Sequence, residues 1–355
     1  MTALLDGSTG GKRPVPAALG PAKRAIAQDE ADCLSIGLIN NMPDTALEST
    51  ERQFAELLDS AATDIPLRLR LFALPQVPRG EAGRRHVSRY GDIAELWAGN
   101  LDGLIVTGTE PQTPSLADEP YWTALTQLID WAEDNAISTI WSCLAAHAAV
   151  LHIDGIAGRP LAEKRFGLFE CAKASAHPLM QGVPLRIQVP HSRFNELPED
   201  ALRACNYTIL TASPEAGVDM FVKQRKSLAL FFQGHPEYDG FALFREYRRD
   251  VGRFLRRQRE TYPPMPHGYF DEDAKVAFLA FRERALSDRN EALLEYFPSA
   301  AAEAASTART ATAAARIYAN WLSHLWSQRS KSRGLQMPPR RARRVATPVP
   351  AQRVS

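Results

Sequence analysis

The chain reads as a three-layer α/β protein built on a mostly parallel sheet. Three features predict this class. Short apolar runs of β type alternate with helical patterns along most of the chain, the order that sets strands side by side with crossover helices on both faces. Several runs end in loop-forming residues or directly at a helix start, as strands do whose carboxyl ends make the ligand-binding edge. The length of 355 residues and the 45% hydrophobic content suffice to bury a sizeable core in one large or two ordinary domains.

Taken in order, residues 1–30 are rich in Gly, Pro and Ala without periodicity and are expected to form a disordered leader. One folded domain is expected over 31–328. Its first strand is 34–39, an apolar run ended by Asn40-Asn41-Met42-Pro43-Asp44, and it leads into a helix at 45–59 with apolar residues at Leu47, Phe54, Leu57 and Leu58. Further strands are expected at 67–72, 103–106, 138–141, 207–210, 218–222 and 228–232. Helices are expected at 93–98, 121–134, 144–151, 241–257 and 272–285. Residues 71–90, with Pro75, Pro78, Gly80 and Gly83, read as a long irregular connection. Residues 300–315 are Ala-rich and helix-permissive, and the stripe Ile317-Tyr318-Ala319-Asn320-Trp321-Leu322 after them packs a last helix on the body. No internal repeat of 20–50 residues is visible.

The charge is balanced overall, with 42 Lys+Arg against 41 Asp+Glu, but it is unevenly spread. Residues 329–355 hold eight Lys+Arg and no acid, which leaves residues 1–328 at −7. An acidic body argues against general nucleic-acid binding, and 329–355 is expected to be a basic disordered tail. No window approaches the ~20 apolar residues of a membrane span, and the first 30 residues lack the apolar stretch of a secretory signal, so a cytoplasmic protein without membrane contact is expected. Cys33, Cys143, Cys171 and Cys205 form no CxxC pair, hence neither a disulfide framework nor a metal site is expected.

Cys143 is the thiol whose surroundings point to chemistry. The strand at 138–141 runs through Ser142 and Cys143 straight into a helical pattern flanked by small residues, the arrangement of a nucleophile elbow, where the helix N-terminus favours a thiolate. A lone Cys at a strand end is most often a core thiol. The weight shifts with Phe232-Gln233-Gly234-His235-Pro236-Glu237, where another strand ends in an imidazole and a carboxylate two residues apart. A Cys–His pair needs the His as proton acceptor and a partner that orients its other nitrogen, and Glu237 is spaced for that role.

These motifs, in order, resemble the homoserine O-acyltransferases of methionine biosynthesis, a branch of the class I glutamine-amidotransferase-like (flavodoxin-like) fold. The likeness spans about 34–326. It is carried by Leu38-Ile39-Asn40-Asn41-Met42-Pro43 with Glu48 to Phe54, Asp102 to Gly108 with Tyr121-Trp122, and Cys143. It continues through Glu163-Lys164 with Gly167, Pro190-His191-Ser192-Arg193-Phe194, Gly234 to Asp239, Arg249-Asp250 and Asn320-Trp321-Leu322. The resemblance implies that 31–328 is an acyltransferase catalytic domain in which Cys143 is the nucleophile, His235 the general base and Glu237 its orienting acid. It implies that Lys164, Ser192 and Arg249 hold the amino acid or the acyl chain; taken singly, Lys164 and Arg249 would read as solvated charges. Glu246, one helical turn before Asp250, could face the site or solvent. The expected reaction is transfer of a succinyl or acetyl group from an acyl-CoA co-substrate to L-homoserine through a Cys143 thioester, with no other cofactor. A homodimer is the default assembly for a soluble enzyme.

The chain departs from the family in having Leu144 and His147 where an aromatic residue and a Gln usually follow the nucleophile. A packed neutral imidazole is the expected state of His147. In the loop 108–114, Gln112 falls at the position implied to select the acyl group. Gln has the bulk of Glu without its charge, so steric and electrostatic arguments oppose each other, and the reading favours succinyl. Two other readings stay open. One is a Cys-His-Glu glutaminase or γ-glutamyl hydrolase, or an acyltransferase for another hydroxy amino acid such as serine. The other is a non-catalytic protein on the same scaffold whose basic tail touches RNA or acidic partners.

Overall fold

The computed structural model describes residues 4–6, 33–299 and 311–333. A ten-stranded sheet runs through its centre. The strands are β1 (Leu4–Asp6), β2 (Leu34–Ile39), β3 (Leu67–Phe72), β4 (Leu101–Val106), β5 (Ala136–Ser142), β6 (Arg159–Lys173), β7 (Arg186–Glu196), β8 (Thr208–Ser213), β9 (Gly217–Gln224) and β10 (Leu228–Phe232), in the spatial order β1-β3-β2-β4-β5-β10-β9-β8-β6-β7. Pairings from β1 to β10 are parallel, and those from β10 outward to β7 are antiparallel. The expected α/β class is therefore right, on a mixed sheet.

The helices are α1 (Leu47–Ala62), α2 (Glu81–Val87), α3 (Ile93–Ala98), α4 (Trp122–Asn135), α5 (Leu144–Asp154), α6 (Glu199–Ala204), α7 (Ala242–Leu255), α8 (Glu272–Ser287) and α9 (Ala311–Arg333). Alternation along each central strand divides the side chains between two cores. Leu38, Ile105, Ile140 and Leu230 face the layer made by α1 and α9, while Ile39, Leu104, Trp141 and Phe231 face α3, α4, α5 and α6. Helix α1 presents Leu47, Phe54, Leu57, Leu58 and Ala61 to its side at helical spacing. From α9, the Trp321 indole donates to Ser138 Oγ at 2.9 Å across the first core, which anchors the last helix to β5. A third cluster, built from Phe166, Tyr247, Phe254, Phe270, Phe278 and Phe297, joins α7 and α8 beside β6.

Four expectations need amendment. The connection 71–90 contains α2, and Arg79 within it donates to the carbonyls of Asn40 and Met42 at 3.0 Å, tying down the loop after β2. Strands β6 and β7 were missed, because half of β6 is polar and exposed and β7 carries a mid-strand proline, Pro190. Of the leader expected at 1–30, only 4–6 fall among the described residues, and they pair with β3 as an edge strand. Of the tail expected at 329–355, only 329–333 are described, and they continue α9. Arg329 is buried there and bonds to Asp102 and the Cys33 carbonyl, so the body extends past residue 328. The Ala-rich stretch enters α9 at Ala311, and 300–310 lie outside the described residues. No helix among the described residues is long and apolar enough to cross a membrane.

Candidate active site

The parallel strands all deliver their carboxyl ends to one edge, so the loops after β2, β4, β5 and β10 meet there. Cys143 is the turn between β5 and α5. Its backbone lies at φ +53°, ψ −114°, a conformation that L-residues rarely adopt and that costs of order 1–3 kcal/mol when held in place. It is held by its N–H, which donates to Phe232 O at 2.7 Å, and by the helix that starts one residue later. From the other side the loop after β4 closes in. A methyl group at Gly108 would lie 2.7 Å from Leu144 Cβ and 2.9 Å from its nitrogen, so only Gly allows this approach. The Leu144 N–H opens α5 and has no acceptor within the helix, which leaves it free to receive an oxyanion.

His235 follows β10, and its own N–H donates to Pro190 O at 2.8 Å, which sets the turn against β7. The imidazole Nδ1 lies 2.8 Å from Glu237 Oε1, and the ring is stacked on Tyr238 with centroids 4.3 Å apart. Burial works against a charged imidazole, but its electrostatic interactions with Cys143 and the Glu237 carboxylate outweigh it and hold the His235 pKa well above its ordinary value. The three residues expected to form a triad thus line one cavity, with Cys143 and His235 coupled electrostatically and His235 paired to Glu237.

The triad opens on a cavity of about 530 Å³. Its far wall joins the three residues expected to hold substrate, and what joins them is Glu246. Ser192 Oγ on β7, Lys164 Nζ on β6 and Arg249 Nη2 on α7 lie 2.5, 2.8 and 3.4 Å from the same oxygen, Glu246 Oε1. Asp250 completes the cluster, accepting from Lys164 at 3.2 Å and from Arg249 at 3.0 and 3.1 Å. Lys164 also sits 4.3 Å from the Phe166 ring centroid. Burial alone would raise the Glu246 pKa, but Lys164 and Arg249 reverse this and keep it below the ordinary carboxylate range. Burial likewise opposes the Arg249 charge, and Glu246 and Asp250 more than restore it. Glu246, which sequence left undecided, therefore faces the site. All four carboxylates lining the cavity are engaged, Glu237 by His235, Glu246 and Asp250 by Lys164 and Arg249, and Glu110 by Arg253 at 3.0 and 3.1 Å across the mouth.

His147 lines the cavity floor as a buried imidazole, and burial followed by the nearby Arg193 charge lowers its pKa to about 3, so it is neutral as expected. Arg193, within the Pro190 to Phe194 motif, is a further residue at the site. It is buried beside the cavity, where it donates to Asn195 O at 2.6 Å and to Ala216 O. The available signal was the period of two along β7, which sets Arg193 on the same face as Ile187, Val189 and His191. Gln112, the residue expected to select the donor, stands apart from the cavity: it is exposed and does not line it. The buried Glu119 carboxylate draws the loop away, accepting from Gln112 N at 2.6 Å and Thr113 N at 2.8 Å, and Glu110 and Pro111 line the cavity instead.

The chain is similar to known proteins over most of its length. Residues 18–332 match the family described as HTS: Homoserine O-succinyltransferase. The chain is 47% identical over 291 residues to a homoserine O-succinyltransferase of Methylorubrum extorquens, covering 82% of this chain and 86% of the relative. It is 47% identical over 299 residues to one of Rhodopseudomonas palustris (84% and 90%) and 44% identical over 327 residues to one of Bradyrhizobium japonicum (92% and 99%). Among solved structures, a glutamine amidotransferase from Methylobacillus Flagellatus aligns over 82% of this chain and 95% of its own at 12% identity, with a TM-score of 0.47. With a family match over most of its length and relatives nearly half identical to it, the chain belongs to the homoserine O-succinyltransferase family of acyltransferases.

Proposed function

We propose that the protein transfers the succinyl group of succinyl-CoA to the side-chain hydroxyl of L-homoserine through a thioester on Cys143, as a cytoplasmic enzyme that needs no cofactor beyond this co-substrate. The observation that carries the reading is the Cys143–His235–Glu237 triad opening on a cavity whose opposite wall concentrates Lys164, Ser192 and Arg249. Because Lys164 and Arg249 are balanced there by Glu246 and Asp250, such a wall suits a zwitterionic amino acid, whose carboxylate and ammonium both find an opposite charge on it.

The steps follow from the pairing. His235 takes the thiol proton and Glu237 steadies the resulting imidazolium. Cys143 sulfur attacks the thioester carbonyl carbon, and the oxyanion forms beside the Leu144 N–H. Collapse expels CoA thiolate, which leaves with the proton held on His235, and the acyl group stays on Cys143. Homoserine then binds, His235 accepts its hydroxyl proton, and the oxygen attacks the same carbonyl carbon. The C–S bond breaks, the ester leaves, and the thiolate–imidazolium pair is restored. Splitting one acyl transfer into two exchanges at one carbon is the benefit of covalent catalysis.

The test is intact-mass analysis after incubation with succinyl-CoA or acetyl-CoA alone, followed by a donor-by-acceptor matrix with homoserine and serine. A succinyl adduct on Cys143 that is discharged by homoserine supports the reading. Absence of an adduct with both donors, together with no CoA release on adding homoserine, overturns it.

A further inference from the structure

Behind the catalytic turn lies a second buried acid with no part in the steps above. Asp219, on β9, is 2% exposed, and its two carboxylate oxygens have separate tasks. Oδ2 accepts from the Thr211 hydroxyl of β8 at 2.7 Å. Oδ1 accepts from the Gly234 N–H at 3.3 Å, and the Asp219 main-chain carbonyl accepts from Gln233 N–H at 2.8 Å. Both residues leading into His235 are thus fastened to Asp219. The fit is close: a methyl group at Gly234 would stand 2.7 Å from Asp219 Oδ1 and 2.9 Å from Pro190 O. His191 of β7 faces the same carboxylate, its Nδ1 accepting from Arg193 Nε at 3.4 Å and its Nε2, 3.5 Å from Oδ1, making no hydrogen bond among the described residues.

We infer that Asp219 is a positioning residue for His235, its buried carboxylate fixing the Gln233-Gly234-His235 turn from behind and setting a negative charge against it. The inference rests on His235 as the general base proposed above. The groups facing Asp219 are His191 and Arg193 from β7, Cys171 from β6, Thr211 from β8, and His235 itself. His191 is neutral, because burial, then the Arg193 and His235 charges, pushes its pKa far down. Arg193 directs its Nη groups to main-chain carbonyls. Burial raises the Asp219 pKa to about 6, against the opposing pull of Thr211, Gly234, Arg193 and His235, so the carboxylate is charged at neutral pH. A buried negative charge close to an imidazole favours its protonated form.

The test uses the full chain with Asp219→Asn, which keeps the shape and removes the charge, and Thr211→Val, which removes the hydroxyl that holds the carboxylate. Asp219→Asn is expected to lower kcat about tenfold with KM within about twofold, since Asp219 does not line the cavity. In an NMR titration of labelled histidines, the His235 imidazole is expected to titrate about one pH unit lower in Asp219→Asn. Thr211→Val should move both readouts in the same direction by about a third as much, and Thr211→Ser should restore them. An unchanged His235 titration in both variants, or a loss confined to melting temperature at unchanged kcat, overturns the inference. So does stoichiometric zinc in the purified protein, because ligand atoms of Cys171, His191 and Asp219 lie within 4.8 Å of one another and a metal would then own the charge. If the wild type transfers no acyl group, the proposed function fails, while the titration still decides the role of Asp219.

Discussion

The two halves of the sheet supply different things to one cavity. The parallel half contributes Cys143 and His235, each at the end of a buried strand and each fixed by short-range backbone geometry. The antiparallel half contributes Lys164 and Ser192 from a long hairpin, and α7 adds Glu246 and Arg249 from its far side. In the first half the reactive groups are aimed by main chain. In the second, three side chains from three elements are aimed through one shared carboxylate, Glu246. The placement of the candidate triad therefore depends on backbone in one half, and that of the cluster facing it depends on charge balance in the other.

This contrast can be broken most sharply at the nucleophile. Cys143→Ala should abolish both the acyl adduct and turnover, a loss of at least about 10³-fold, with an unchanged melting temperature because no packing is removed beyond one sulfur. His235→Asn should cost about 10²–10⁴-fold in kcat and slow alkylation of Cys143 by iodoacetamide at neutral pH. In the binding half, Glu246→Gln should raise the KM for homoserine about tenfold and lower stability by at most about 3 kcal/mol, since Asp250 still compensates Lys164 and Arg249. Equal losses in kcat from Glu246→Gln and His235→Asn would erase the distinction between the halves.

Acid should separate them as well. His147, beside the nucleophile, has a pKa lowered from 6.5 to about 3, so its neutral burial favours the folded state fully above pH 6.5 and loses that effect as pH falls toward 3. Glu246 is lowered from 4.5, so its contribution is complete above pH 4.5 and is lost only as pH falls through its depressed value. Urea unfolding at pH 7 and pH 5 should show the wild type losing about 2 kcal/mol more than His147→Gln over that interval, and Glu246→Gln should change that interval little. The smallest effect is expected at Gln112, where Gly or Glu should alter the succinyl-to-acetyl preference less than about twofold, because the side chain lies outside the cavity. A switch of donor would return the loop to the role that the resemblance implied for it.

Legibility in the sequence followed the same division. The central strands and α1, α4 and α7 carry clean periodicity because each buries one or both faces, whereas α5 and α8 were legible from helix-forming composition. Strand β6 carries none in its first half, where it stands clear of the core. In β7 the alternation of Arg186, Ile187, Gln188 and Val189 is a usable signal that Pro190 then interrupts. Cys143, His235 and Glu237 were legible from strand ends and spacing. Lys164, Ser192 and Arg249 were legible only through resemblance, since a lone Lys or Arg in sequence has no direction. The outward orientation of Gln112 was not legible, because counting along a loop with Pro111 and Pro114 does not say which side chain turns inward.

By itself, then, the sequence determined the α/β class, the strand that ends at Cys143 and the spacing of His235 from Glu237, all of them local properties of apolar period and turn chemistry. Tertiary structure alone decided that Glu246 gathers Lys164, Ser192 and Arg249, that Arg329 is buried against Asp102, and that Asp219 backs the catalytic turn. The physical reason is range. Backbone preference and burial are written within a few residues, whereas the state of a charged side chain depends on which distant charges the finished fold brings within a few ångströms of it.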